Sequence, residues 1–180
     1  MNSESIRKLF EQVRKGKVSP DDAVARLRHM PFEDIGFAKV DHHRALRAGM
    51  PEVILGEGKT PAQVAGIFAR LAKQGGNVLA TRANEKQCAA VKKKVRGVEY
   101  RELARAIVLQ RDPVKYGQGI IAVVSAGTSD IPVAEEAVVT AEIMGNEVEH
   151  FYDVGVAGIH RLLANREALT KARVERCDLL

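Results

Sequence analysis

The chain has 180 residues, 46% of them hydrophobic and 28% charged, a composition typical of globular proteins with one or two small domains. This excludes disordered and collagen-like chains, and the longest apolar runs fall short of the roughly 18 residues that a membrane span needs. The first residues mix acids and bases, unlike a signal peptide, so we expect a cytoplasmic protein without a membrane partner.

The formal charge of +5 is distributed unevenly. Residues 1–117 contain 23 basic and 13 acidic side chains, whereas residues 118–180 contain 5 and 10. Regions of opposite sign attract each other or a neighbouring subunit. The run Lys92-Lys93-Lys94 has no interleaved aromatic residues, so we interpret it as a solvated helix end and expect no nucleic acid partner. Cys88 and Cys177 have no cysteine or histidine at ligand spacing, which predicts neither a zinc site nor a disulfide.

Two helices are predicted at the start of the chain. Apolar residues recur at helical spacing from Ile6 to Val13 and stop at Gly16. Ser19 and Pro20 then supply an N-cap and a first-turn proline for a second helix. The two helices predict a helical hairpin.

From residue 35 the pattern changes to short strands alternating with helices. Strands are predicted over residues 35–40, 52–55 and 77–81. A helix is expected between Thr60-Pro61 and Gly75-Gly76, and another over residues 85–94. This alternation indicates βαβ units and a largely parallel sheet.

Charged and glycine-rich connections in this region suggest no separate site. Residues 41–49 include Asp41, His42, His43, Arg44 and Arg47, but adjacent histidines diverge in regular structure and do not chelate one metal. The run from Gly56 to Thr60 resembles half of a phosphate loop. It lacks the Gly-x-x-x-x-Gly-Lys-Ser/Thr spacing, so it does not predict a nucleoside triphosphatase.

Residues 111–119 combine proline, glycine and polar groups, which places a domain boundary there. Residues 1–117 are expected to form an α/β domain and residues 118–180 a second one. The second comprises a buried strand over residues 120–124, a helix through Ala134 and Ala141, a strand over residues 148–154 and a helix over residues 160–169. Two strands do not close a stable sheet, so either the chain is truncated or other subunits or the first domain complete it.

The first candidate site follows the strand at residues 120–124. Gly127 allows a close backbone approach, and the hydroxyls of Thr128 and Ser129 lie next to free amides at the start of a helix. In α/β sheets, ligands bind outside the carboxyl ends of the strands. The segment therefore predicts a phosphate site, with the alternative that Ser129 or Asp130 only caps the helix.

The second candidate site is the turn after the next strand, at the same end of the sheet. It contains Gly155, Val156, Ala157 and Gly158. His160 and Arg161 follow, and they supply an imidazole that can exchange protons and a guanidinium that can hold an anion. The alternative is that His160 is a structural or surface residue.

These motifs carry a resemblance to a known family. The segment from Val123 to Ala137, with Ala126-Gly127-Thr128-Ser129-Asp130 at its centre, and the segment from Asp153 to Leu163 closely resemble the nickel-pincer cofactor biosynthesis protein B (LarB) family. The stretch from Asp41 to Pro61 resembles that family's first domain. The second domain is similar to the PurE-type aminoimidazole ribonucleotide (AIR) carboxylases, whose usual Gly-Ser-x-Ser-Asp start reads Ala-Gly-Thr-Ser-Asp here.

The resemblance implies an incomplete PurE-like, flavodoxin-type, parallel three-layer α/β domain that assembles into a homo-octamer when complete. It implies an enzyme that carboxylates the pyridinium ring of nicotinic acid adenine dinucleotide with carbon dioxide or bicarbonate. The enzyme would also hydrolyse the phosphoanhydride to release AMP and pyridinium-3,5-biscarboxylic acid mononucleotide, with Mg²⁺ assisting and no tightly bound organic cofactor.

The resemblance assigns substrate binding to a set of residues in the two turns: Gly127, Thr128, Ser129, Asp130, Gly155, Val156, Ala157, Gly158, His160 and Arg161. In the family, the cysteine that would supply the thiolate, and an acidic residue after the third strand, lie in the latter part of the PurE-like domain, and we expect this chain to end before both. We therefore assign no catalytic residue. The alternatives are an AIR carboxylase-like enzyme of purine biosynthesis and a non-catalytic nucleotide-binding fragment.

Overall fold

The computed structural model describes residues 3–27, 33–41, 44, 50–155 and 158–171. The chain forms two compact units, Met1–Glu52 and Val53–Leu180. The boundary that the sequence predicts at residues 117 and 118 stays a prediction. In the part of the chain that is described, no helix is long and apolar enough to cross a bilayer.

The first unit begins with the expected helical hairpin, formed by α1 (Ser3–Arg14) and α2 (Pro20–Leu27). Gly16 has a φ of +69°, the left-handed conformation that ends many helices. The hydroxyl of Ser19 accepts a hydrogen bond from the backbone N–H of Asp22 at 3.0 Å, so Ser19 is the N-cap of α2. The hairpin is held by a small core: Leu9, Val18 and Ala23, with Val13 and Leu27 packed against it.

The prediction of a single strand over residues 35–40 is wrong. The chain instead forms an antiparallel hairpin of β1 (Glu33–Asp34) and β2 (Lys39–Val40). Gly36, at a φ of +87°, donates its N–H to Asp34 Oδ1 at 2.8 Å. An acid followed by glycine favours a turn, and here these local bonds override the apolar alternation.

In the second unit the strands are β3 (Val53–Leu55), β4 (Val78–Thr81), β5 (Glu99–Arg101), β6 (Ala106–Leu109), β7 (Ile120–Val124) and β8 (Glu147–Phe151). The helices are α3 (Pro61–Ala72), α4 (Glu85–Lys92), α5 (Ile131–Ile143), α6 (Ile159–Ala164) and α7 (Arg166–Lys171). The α/β class predicted from the sequence is confirmed.

The first sheet of this unit has the strand order β3-β4-β6-β5 and is mixed. β3 and β4 are parallel, whereas β6 is antiparallel to both β4 and β5. The prediction of a largely parallel sheet is therefore wrong here. β5 and β6 are joined by residues 102–105, where Arg105 N–H donates to Glu102 O, and so short a turn leaves no room for a crossover helix.

Both faces of this sheet are covered. Leu79 and Val108 are paired neighbours on one face, and they pack with Val139 and Ile143 of α5. Ala80 and Ile107 are the next pair, project to the opposite face and are fully buried. Burial on both sides explains why β6 and residues 78–80 of β4 are continuously apolar.

The second sheet consists of β7 and β8, which are parallel with Ile121 opposite Val148, and α5 packs against both strands. The strand predicted over residues 120–124 is observed with those bounds, but the prediction that it is buried is wrong, because with two strands in the described sheet Ile121 and Val124 stay exposed. The strand predicted over residues 148–154 ends earlier, at Phe151. The prediction of a single helix over residues 160–169 is wrong. It is divided into α6 and α7 at Asn165, whose side-chain amide donates to the carbonyl of Arg161 at 2.9 Å.

Within the second unit, Asn77 attaches the polar segment at residues 111–119 to β4 and α5. The Asn77 side-chain oxygen accepts from the N–H groups of Arg111 and Asp112, both at 2.8 Å. Its amide nitrogen donates to the carbonyls of Asp112 and Ile143 at 3.0 Å. One side chain therefore joins the start of β4, this segment and the last turn of α5.

Candidate functional site

The candidate site is built from the loops that follow β7 and β8, and backbone hydrogen bonds hold these loops side by side. Ser125 N–H donates to Phe151 O at 3.0 Å, and Val154 N–H donates to Ser125 O at 3.1 Å. Gly155 N–H then donates to Ala126 O at 2.9 Å. The ladder thus continues past the strands, and the two predicted turns are neighbours at the carboxyl edge of the sheet.

Gly155 is needed for this close approach. A Cβ atom at residue 155 would lie 2.7 Å from the carbonyl oxygen of Ala126 and 3.3 Å from its carbonyl carbon. The obstacle is backbone, which a rotamer change cannot move aside. The glycine that the sequence placed in the second turn therefore allows the first loop to touch the second.

The first loop forms a 3₁₀ turn over Thr128–Asp130, which leads directly into α5. Gly127 N–H donates to Asp130 Oδ2 at 3.0 Å, and Asp130 N–H donates to Gly127 O at 3.1 Å. Asp130 therefore stabilises the helix start, which is the alternative role that the sequence left open for it. Thr128 and Ser129 are exposed. Their hydroxyls are thus available to a ligand at the mouth of the loop.

Ser125 lies at the base of the first loop with an unused hydroxyl. The residue is only 6% exposed, and among the described residues its Oγ has no hydrogen-bond partner. Buried hydroxyls are nearly always satisfied by protein or by ordered water. The loop therefore has hydrogen-bonding capacity that its described protein contacts do not use.

In the second loop, Arg161 was predicted to hold an anion, and its guanidinium contacts a carboxylate of the protein. Arg161 Nη1 lies 2.6 Å from Asp153 Oδ2, and both side chains are partly exposed. His160 is exposed beside them on the first turn of α6. Gly158 N–H donates to Gly155 O at 3.0 Å. The other two predicted residues, Val156 and Ala157, lie outside the described residues.

Sequence reasoning missed a polar pair beside these loops. The phenol of Tyr152 donates to Glu135 Oε1 at 2.7 Å, and the rings of Tyr152 and His150 stack at 4.7 Å. Burial, followed by the hydrogen bond to Glu135, raises the pKa of Tyr152. The residues are 17 positions apart on different elements, so no local pattern signals the pair.

The carboxyl edge of the first sheet offers a second parallel pair, β3 and β4, with similar geometry. Gly56 N–H donates to Thr81 O at 2.8 Å, and a Cβ on Gly56 would lie 3.0 Å from that oxygen. Here a buried side chain fills the loop: Gln87 Nε2 donates to the carbonyls of Gly56 and Lys59 at 2.8 and 2.7 Å. The loop that resembles half of a phosphate loop is thus braced from inside.

Two other features that the sequence singles out, Cys88 and the lysine run, lie on α4 or directly after it, outside the candidate site. Cys88 is 3% exposed, and burial raises the pKa of its thiol, which disfavours the nucleophilic thiolate. The run Lys92-Lys93-Lys94 is exposed at the end of α4, as the sequence predicts. The remaining predicted residues, His42, His43, Arg47 and Cys177, lie outside the described residues.

The described residues include no group of three or more histidine, cysteine, aspartate or glutamate side chains that could hold a metal ion. At the candidate edge, Asp130 is hydrogen-bonded to Gly127 and Asp153 is paired with Arg161. The described residues at this edge therefore do not form a binding site for the Mg²⁺ that the resemblance implies.

Comparison with known proteins gives two matches. Residues 32–111 match a family model described as the LarB/PurE-like N-terminal domain. An uncharacterized protein of Methanocaldococcus jannaschii is 34% identical over 165 residues, which cover 88% of this chain and 64% of that protein. The chain therefore spans a little under two thirds of the length of this curated relative.

Proposed function

Because residues 32–111 belong to the LarB/PurE-like N-terminal domain family, as the sequence resemblance predicted, we propose that the chain serves in a carboxylase-type enzyme acting on a pyridine dinucleotide. The proposed reaction is that of nickel-pincer cofactor assembly. Nicotinic acid adenine dinucleotide is carboxylated at carbon 5 of its pyridinium ring by carbon dioxide or bicarbonate, and its phosphoanhydride is hydrolysed to release AMP.

The observation that carries the proposal is the double loop at the carboxyl edge of β7 and β8. Three successive backbone hydrogen bonds from Ser125 to Gly155 align the loops, with the exposed hydroxyls of Thr128 and Ser129 in front of α5. Backbone amides at a helix start and nearby hydroxyls are suited to phosphate oxygens. This arrangement supports the binding of a nucleotide by its phosphates.

The proposed chemistry divides the work between binding and bond formation. A pyridinium ring is electron-poor and does not attack carbon dioxide, whereas addition of a thiolate gives an enamine-like ring whose carbon 5 is nucleophilic. Cys88 does not fit that role, because it is buried and its pKa is raised. The described residues are therefore proposed to hold and orient the nucleotide, and Mg²⁺, when present, would be held mainly by its phosphates.

Self-assembly is part of the proposal. Among the described residues the second sheet has only two strands, and its Ile121 and Val124 are 41% and 49% exposed. Exposed apolar side chains on so small a sheet favour burial against further structure. This supports the proposed homo-oligomer, for which the resemblance implies an octamer. We also propose a cytoplasmic location.

Binding is tested by calorimetry with nicotinic acid adenine dinucleotide and the chain described here. We expect the double variant Thr128→Val/Ser129→Ala to bind about tenfold or more weakly, because it removes two hydroxyls that face phosphate. Ser19→Ala is the matched control, since it removes a helix-start hydroxyl in the first unit. Equal affinity of the double variant and the wild type would remove the first loop from the site.

Catalysis is tested with a chain extended to the length of the relative. Incubation with the dinucleotide, labelled bicarbonate and Mg²⁺ should release AMP and place label in the pyridinium product. In a parallel incubation with AIR in place of the dinucleotide, incorporation of label into AIR would support the purine-biosynthesis alternative. Binding of the dinucleotide without any AMP release would support the non-catalytic alternative and contradict the proposed reaction.

A further inference from the structure

The turn after β8 contains a residue whose conformation the backbone alone does not explain. Asp153 has a φ of +58°, in the left-handed region, where a side chain usually costs stability. Its carboxylate contacts the Arg161 guanidinium at 2.6 Å, with the two side chains 46% and 39% exposed. Exposed ion pairs contribute little to stability. Stabilisation of the fold is therefore a poor reason for placing an acid in this conformation.

Gly158 leaves the space that the same guanidinium occupies. A Cβ at residue 158 would lie 2.7 Å from Arg161 Nε and 3.2 Å from its Nη2. The φ of Gly158 is −128°, a value that any residue adopts, so the glycine is not needed for its backbone freedom. What matters is the space that its missing side chain leaves to Arg161.

This arrangement is attached to the first loop. The two residues that follow Asp153 are the ones that donate to that loop, Val154 to Ser125 O at 3.1 Å and Gly155 to Ala126 O at 2.9 Å. The backbone directly after the left-handed residue Asp153 is therefore hydrogen-bonded to the neighbouring loop. A guanidinium held by Asp153 is thereby tied to the loop that presents Thr128 and Ser129.

We propose that Asp153 is a positioning residue that, together with the space left by Gly158, holds the Arg161 guanidinium ready for an anionic phosphate oxygen of the dinucleotide. The proposal rests on the proposed function and names a residue that the sequence analysis did not include in the site. One carboxylate occupies Nη1, and a guanidinium has five N–H donors, so donors remain for a ligand. Fixing a long side chain before binding reduces the entropy lost when the ligand arrives.

The first test measures dinucleotide affinity by calorimetry. Asp153→Gly keeps the left-handed turn but removes the carboxylate, and we expect affinity to fall about fivefold to twentyfold. Asp153→Asn keeps an oxygen acceptor and tolerates the same φ, so it should retain affinity within about threefold. Gly158→Ala should match Asp153→Gly, because it displaces the guanidinium while leaving the carboxylate in place.

The second test separates positioning from a general structural effect. In an Arg161→Met background the Asp153→Gly change should produce no further loss of affinity, because its effect is exerted through the guanidinium, which methionine lacks. Nicotinic acid riboside, which has no phosphate, should respond to none of these variants. Without ligand, the ¹⁵N resonance of Arg161 Nε should shift in Asp153→Gly and stay in place in Asp153→Asn.

The outcomes are distinguishable. If the wild type does not bind the dinucleotide, the proposed function fails, and this inference fails with it. If the wild type binds and Asp153→Gly binds equally well, only the positioning role of Asp153 is overturned. Equal losses from Asp153→Gly in the wild-type and Arg161→Met backgrounds would also overturn it, because Asp153 would then act independently of Arg161.

Discussion

The second unit contains two pairs of parallel strands, β3 with β4 and β7 with β8. The loops that follow each pair cross in the same way, but they differ in what satisfies their polar groups. After β3, Gly56 N–H donates to Thr81 O at 2.8 Å. After β8, Gly155 N–H donates to Ala126 O at 2.9 Å. In both cases a Cβ on the glycine would lie within 3.0 Å of the partner's carbonyl oxygen. Adjacent parallel loops thus require a glycine at the crossing.

The two edges differ in what satisfies their polar groups. The first is filled by Gln87, which is 3% exposed and bonded to two carbonyls and to the N–H of Asn84. The second keeps exposed hydroxyls at its mouth and the unpartnered Ser125 Oγ at its base. The comparison indicates that a braced loop serves the fold, whereas an unfilled loop of the same geometry is available to a ligand.

The largest effect is expected from removing the brace at the first edge. Gln87→Leu leaves the carbonyls of Gly56 and Lys59 and the N–H of Asn84 without their partner, which should cost about 3 kcal/mol of unfolding free energy. Urea denaturation measures this. The control is Gln63→Leu, whose side chain bonds the exposed N–H of Thr60, and its cost should stay below about 1 kcal/mol. Equal costs would contradict the bracing role of Gln87.

The crossing glycine at the second edge should come next. Gly155→Ala places a methyl group against Ala126 O, and overpacking of this kind costs about 1–3 kcal/mol. Because the clash separates the two loops, affinity for the dinucleotide should fall as well. Gly76→Ala changes a glycine that has no atom near its Cβ position and no positive φ, and it serves as the control for binding. Full dinucleotide affinity in Gly155→Ala would show that the loops need not touch.

The response to alkaline pH probes the polar pair beside the second edge. The raised pKa of Tyr152 means that the folded state favours the neutral phenol. The resulting stability is complete below about pH 10, where the unfolded phenol also keeps its proton, and it is lost as pH rises through the folded-state pKa. Tyr152→Phe should therefore show a shallower fall in unfolding free energy above about pH 10. Identical slopes for the two proteins would contradict the assignment.

The smallest effect is expected at Ser125. Its hydroxyl has no partner among the described residues, so Ser125→Ala should change the unfolding free energy by less than about 0.5 kcal/mol or stabilise the chain. Ser19→Ala removes a hydroxyl that is bonded to Asp22 N–H and should cost about 1 kcal/mol. A comparable cost at Ser125 would mean that its hydroxyl is already satisfied in the free protein.

Sequence reasoning succeeded where structure depends on local chemistry. The Thr60 side chain accepts from the N–H of Gln63, whose own side chain returns a bond to the Thr60 N–H, as expected for a helix that starts with Thr-Pro. The strand over residues 120–124 is continuously apolar and was predicted with its observed bounds. Ser19 likewise caps α2 as predicted.

The errors arise where tertiary contacts decide. The β5 strand, Glu99–Arg101, has charged residues on both sides of Tyr100 and gives no core signal, so the antiparallel part of the sheet was missed. The apolar run of β6 was a usable signal that was not assigned. At the candidate site, glycines and hydroxyls were found from the sequence. The Asp153 contact with Arg161 and the Tyr152 contact with Glu135 depend on folding and were not.

The most direct test of the central claim is to map dinucleotide binding by NMR on the chain with both edges intact. Titration with nicotinic acid adenine dinucleotide should shift the backbone amide resonances of Gly127, Thr128, Ser129 and Gly155, while those of Gly56, Glu57 and Arg82 at the first edge stay in place. Shifts confined to the first edge, or no shifts at either edge, would contradict the account.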